Sequence, residues 1–171
     1  MPARPTLPRE DHVARYVNKQ RCVLDDTGIP IWVLPAAFEL RAQTANGPEK
    51  WLSTTWLEFF GRDLSVAEQC HHAVAAMRAG KLDPRPSGAI AILHIGHGIA
   101  RARELGARLR ATHEPEQGNG NPAYSPIRGY KPGCPESFLD QVFARGACIR
   151  TIPVRALSTP TALQSPREAS A

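Results

Sequence analysis

Sixteen prolines divide the chain so unevenly that they decide where long elements can lie. A proline cannot continue a helix interior or a central strand, because it lacks an amide proton and its ring clashes with the preceding turn. Four sizeable proline-free windows remain, residues 9–29, 49–83, 87–114 and 136–152. That spacing favours a compact fold of short elements joined by much ordered loop. At 171 residues the chain can bury a core of its own, and 42% hydrophobic with 22% charged residues excludes a collagen, a coiled coil and a wholly disordered chain.

The first window holds residues 11–17, which read as a short helical turn, and then two short strands around the turn signal Asp25-Asp26-Thr27-Gly28. Pro30 and Pro35 push the second of those strands to a sheet edge. Phe38-Glu39-Leu40-Arg41 alternates like a further strand, and residues 51–60 favour strand through their β-branched and aromatic content. Ser65 with Glu68 three residues later forms a capping box for a helix over residues 65–79, which Gly80 ends.

In the third window the apolar run 88–93 reads as a buried strand, Gly96-His97-Gly98 as a turn, residues 99–105 as a helix and residues 108–113 as a strand. A right-handed parallel crossover through that helix is the simplest connection. Residues 114–135 form a long loop rich in Gly, Asn and Pro, a length that marks a functional segment. Pro135 opens an amphipathic helix carrying Phe138, Leu139, Val142 and Phe143, and residues 148–152 return as a strand. The expected architecture is a single α+β domain, with a mixed, mostly antiparallel sheet of short strands and two or three helices. It spans residues 11–154, between a flexible segment 1–10 and a disordered tail 155–171.

No apolar run approaches the roughly 18 residues of a membrane span, and the start of the chain lacks the apolar stretch of a secretory signal, so a cytosolic location is expected. Cys22, Cys70, Cys134 and Cys148 have no paired spacing and read as buried thiols. The Ala- and Arg-rich composition is of bacterial type, and the net charge of +5 permits an anionic partner without demanding one.

His94-Ile95-Gly96-His97 resembles the H-x-G-H signature of class I aminoacyl-tRNA synthetases and related nucleotidyltransferases. The resemblance covers four residues. It implies phosphate contact by His94 and His97 at a helix amino end, with Gly96 letting the backbone approach. His94, His97 and His113 also form the most plausible convergent histidine set, more so than Cys70-His71-His72, whose adjacent imidazoles diverge on a helix. No pattern identifies a cofactor or a metal site.

Arg101, Arg103, Arg108 and Arg110 cluster just before the long loop, which itself carries Asn121, Tyr124, Arg128, Tyr130 and Lys131. Basic groups interleaved with tyrosines suit phosphates and unpaired bases. The function expected from the sequence is that of a small accessory or binding protein without intrinsic catalysis, contacting a protein or nucleic-acid partner through the loop and this arginine-bearing segment. The alternative is an enzyme acting on a nucleotide or other phosphorylated substrate, with His94, His97 and His113 as phosphate-binding or acid–base groups and Asn121, Tyr124 and Arg128 positioning it.

Overall fold

The computed structural model describes residues 4–157. Its strands are β1 (His12–Val17), β2 (Cys22–Leu24), β3 (Pro30–Val33), β4 (Thr55–Trp56), β5 (Ala89–His94), β6 (Arg110–Ala111), β7 (Ile127–Arg128) and β8 (Cys148–Pro153). The helices are α1 (Val66–Ala79), α2 (Ile95–Glu104), α3 (Glu136–Leu139), which continues into a π-helical segment Asp140–Ala147, and α4 (Val154–Leu157). A four-stranded sheet in the order β4-β1-β5-β8 forms the centre, and β2-β3 and β6-β7 make two ribbons. All these pairings are antiparallel, so the chain is a single α+β domain of short strands, as its sequence pattern implies.

β5 is buried on both faces, which its uninterrupted apolar run requires. Ala89, Ala91 and Leu93 join Val13 and Val17 of β1 in a core shared with the hairpin, α2 and the π-helical segment. Ile90 and Ile92 join Ala14 in a second core, covered by Cys70, Ala73, Val74 and Met77 of α1. The Ser65–Glu68 capping box is formed in both directions at the start of α1. In the β2-β3 turn, Asp25 Oδ1 accepts from the Thr27 and Ile29 amides at 2.9 Å, and Gly28 takes the left-handed conformation at φ 80°.

Several elements differ from expectation, each for a local reason. Residues 11–17 are a central strand rather than a helical turn: Val13 and Val17 face inward, and the polar Arg15 between them breaks the alternation that marks a strand. Phe38–Arg41 is not a strand, because Pro35–Phe38 closes a 3-10 turn that buries Phe38 completely. The strand signal in residues 51–60 yields only β4, since Glu58–Phe60 winds into a 3-10 turn. Gly96 and Gly98 lie inside α2 rather than in a turn before it. A Cβ on Gly98 would sit 3.2 Å from the Ala147 methyl, so that glycine serves close helix packing.

The parallel crossover is absent as well. The strand after α2 shrinks to β6, which pairs with β7 from the long loop instead of rejoining β5. The loop itself is ordered, with a 3-10 turn at Pro115–Gln117 and bridges from Tyr124 to Thr55 and from Ile127 to Leu52. Pro135 caps α3 from outside rather than occupying its first turn.

The fold also reaches beyond residues 11–154. Thr6 bridges Thr112, Leu7 is buried, and Arg4 pairs with Glu114, which ties down the segment expected to be flexible. At the other end α4 buries Leu157, and the rest of the expected tail lies outside the described residues. Cys22, Cys70 and Cys148 are buried free thiols and Cys134 is half-buried. Burial pushes the Cys22 thiol up to about 11 and the Cys70 thiol up to about 12. No helix among the described residues is long and apolar enough to cross a membrane.

Candidate functional site

His94 ends β5 and caps α2, its Nδ1 accepting the His97 amide at 3.1 Å, and the two rings stack with centroids 3.8 Å apart. A nitrogen that accepts an amide proton cannot carry one of its own. Burial lowers the His94 pKa below the ordinary histidine value, and the charges of His97 and His12 lower it further. The Ile95 amide donates to the Asp11 carbonyl at 3.0 Å and the Gly96 amide to the Arg9 carbonyl at 2.8 Å. The amides of Ile95, Gly96 and His97 in the first helical turn are therefore occupied. Gly96 is needed for close packing: a Cβ there would lie 2.7 Å from the Arg9 carbonyl oxygen.

His12 joins this pair edge-on to His94, with ring centroids 5.0 Å apart. Glu58 holds it, accepting from His12 Nδ1 at 2.7 Å and from its amide at 2.9 Å. His113 instead packs against Trp56 and Phe59, and its Nε2 donates to the Pro122 carbonyl at 2.8 Å. Among the described residues no three His, Cys, Asp or Glu side chains converge to hold a metal ion.

The arginine-bearing segment and the loop divide among several environments. Arg101 is bound to Glu104 and Gln141 at 2.5 Å each, whereas Arg103, Arg108 and Arg110 are exposed, as is Lys131. Arg128 pairs with Glu114, which is 1% exposed, and lies 4.5 Å above the Trp51 ring. Burial opposes ionisation of Glu114, but hydrogen bonds from Arg128 and Thr112 and the charges of Arg128 and Arg4 outweigh it, so its pKa falls below the ordinary range. Tyr130 is a core residue: its hydroxyl donates to the Phe38 carbonyl at 2.6 Å and its ring packs on Phe143. Asn121 is buried and bonds Thr55 Oγ1 at 2.8 Å, fastening the loop to β4.

Asn121 and Tyr124 line a cleft of about 520 Å³ that the sequence reading did not anticipate. β4 pairs only with Val13 and Ala14, so from Arg15 onward that edge of β1 opens into the cleft. Arg15 lies opposite Ala91 on β5, on the inward face. Its Nε donates to the Ala37 carbonyl at 2.8 Å and its Nη1 to the Ser53 carbonyl at 3.1 Å. No carboxylate pairs with it among the described residues. No buried polar side-chain atom there lacks a partner, so the unused Nη2 is open to the cleft. Burial holds the Arg15 pKa below its ordinary value; the charge of Arg21 lowers it further, while Tyr130 and Glu49 oppose the shift. The guanidinium stays charged across the physiological range.

Arg21, Arg41, Glu39 and Glu49 complete the polar lining, with Val17, Ala37, Met77 and Leu82 supplying apolar surface. Arg41 neutralises Glu49 through Nε at 2.8 Å and Nη2 at 2.5 Å. Arg21 is held by the Ala36 carbonyl at 2.7 Å. The signal that could have revealed this site is the inward arginine, flanked at strand spacing by Val13 and Val17.

The described residues thus form an α+β domain with a mixed polar and apolar cleft into which the half-buried Arg15 faces. The chain matches no protein-family model, no curated protein and no solved structure.

Proposed function

We propose that the protein binds an anionic organic molecule in the cleft between β1, the segment before β4 and the 114–135 loop. The observation that carries this reading is Arg15, a cation on the inward face of a central strand with an open Nη2 and no carboxylate partner among the described residues. A half-buried cation with no ion-pair partner among the described residues is partly desolvated, and a ligand anion can supply the pair. A cavity of about 520 Å³ falls within the range of small-molecule sites, and its apolar lining suits a carbon skeleton beside the anion. In this reading the long loop is a wall of the cleft, presenting Asn121 and Tyr124, in place of the protein or nucleic-acid contact expected of it. This is a binding role, exercised in the cytosol.

Thermal-shift screening against small organic phosphates, sulfates and carboxylates tests it. Ligands that bind the native state raise the melting temperature in proportion to concentration over Kd. Stabilisation by one anion class, absent in Arg15→Met, supports the reading; no stabilisation by any class contradicts it.

A second reading rests on Arg103, Arg108 and Arg110, which are exposed and make no ion pair among the described residues. With Arg101, which is paired with Glu104, they are the basic groups of this stretch that a nucleic-acid partner would meet. Neutralising all four weakens such binding and flattens its salt dependence; unchanged affinity removes nucleic acid as the partner.

A further inference from the structure

A short hydrogen-bonded chain, Trp51–Tyr124–Ser53, runs along the cleft mouth. Trp51 Nε1 lies 2.8 Å from Tyr124 Oη, and an indole nitrogen can only donate, so the phenol oxygen accepts there. Tyr124 Oη also lies 2.9 Å from Ser53 Oγ, and no other acceptor among the described residues is in reach of the phenol proton. Either hydroxyl can donate in that bond, and both are tied to Trp51 through it. Apart from Tyr124, Ser53 Oγ has no hydrogen-bond partner within the described residues, and it is exposed on the cleft wall. The backbone of the same serine is held by Arg15. Such a chain holds the Ser53 hydroxyl in place at the cleft wall.

The charges around it also favour a particular anion. Arg15 and Arg21 both line the cleft without an ion pair among the described residues, whereas Arg41 is neutralised by Glu49. Glu39 is the remaining carboxylate in the lining and lies exposed. A carboxylate offers two oxygens in one plane and a single charge. A phosphate monoester offers three oxygens and close to two charges at neutral pH.

We infer that the ligand of the cleft is a phosphate monoester, its oxygens held by Arg15, Arg21 and the Ser53 hydroxyl, with Trp51 and Tyr124 as positioning residues that aim that hydroxyl. The inference rests on the cleft reading above and narrows it to one chemistry.

Titration calorimetry with phenyl phosphate, phenyl sulfate and phenylacetate tests it, because the three share a ring and differ in charge and oxygen count. The expected order of affinity is phosphate over sulfate over carboxylate. Ser53→Ala lowers phenyl phosphate affinity about ten-fold and Ser53→Thr restores it. The Trp51 indole N–H resonance shifts on phenyl phosphate addition in the wild type and stays put in Ser53→Ala, a response that a merely structural bond would not give. Trp51→Phe weakens phenyl phosphate more than phenylacetate. If all three anions bind alike and Ser53→Ala changes nothing, the inference is overturned while the cleft reading stands. If none binds, both fall.

Discussion

The Arg15 guanidinium donates to the Ser53 carbonyl at 3.1 Å across the open edge of β1, joining the central strand to the segment that leads into β4. The same side chain holds the Ala37 carbonyl, so two of the cleft walls are fastened to one cation. Arg15 itself is half-buried, whereas Val13 and Val17 on the same face are 0% and 3% exposed.

Replacing Arg15 with Met should therefore separate stability from binding. The carbonyls of Ala37 and Ser53 line a cleft open to water, which can replace the lost donors. We expect a stability change below about 1 kcal/mol, measured by urea denaturation, together with loss of anion-induced stabilisation. A loss of several kcal/mol would instead make Arg15 a structural residue.

His94 gives the fold a pH dependence. Its native pKa is lowered by burial, then by His97 and His12, so the unfolded chain takes up the proton first as pH falls. The stability linked to this group is complete above the unfolded value of about 6.5 and declines below it until the native state also protonates. His94→Asn keeps an N-cap and removes the titration. Melting temperatures of the two proteins between about pH 5 and 8 should converge at the acid end, with the wild type showing the steeper fall.

Glu114 behaves in the acidic direction. Hydrogen bonds and charge from Arg128 and Arg4 hold its pKa below the ordinary range against burial, so its contribution is present above the unfolded value and lost as pH falls through the native one. Arg128→Ala leaves the buried carboxylate with Arg4 and Thr112 and should cost roughly 3 kcal/mol in denaturation experiments at neutral pH. A cost below about 0.5 kcal/mol would show that solvent already screens the pair.

Gly96 admits the Arg9 backbone at the start of α2, where a Cβ would meet the carbonyl oxygen at 2.7 Å. Gly96→Ala should destabilise the protein by roughly 1–3 kcal/mol, despite the higher helix propensity of alanine. A stabilised variant would show that the residue 9–11 segment moves aside at no cost.

The elements written in strong local patterns were legible in the sequence. The capping box and helical spacing marked α1, the apolar run marked β5, and the Asp25–Gly28 turn marked the hairpin. What escaped was set by tertiary contact. Gly96 and Gly98 look like turn residues, and only the Arg9 backbone and Ala147 explain them as helix residues. β6 and β7 are too short to carry a period of their own and are defined by each other. β1 was obscured by Arg15, the residue that makes its edge a candidate site, because a functional side chain interrupts the pattern that reveals its element. The loop is legible from its length; Asn121 and Tyr124 line the cleft, whereas Tyr130 is absorbed by the core and Arg128 by Glu114.

The most direct measurement of the central claim is a paired calorimetric titration of phenyl phosphate into the wild-type protein and Arg15→Met. The account predicts saturable one-to-one binding to the wild type and at least a ten-fold weaker affinity in the variant, with both proteins folded. Equal affinities in the two proteins, or no binding to the wild type, would contradict it.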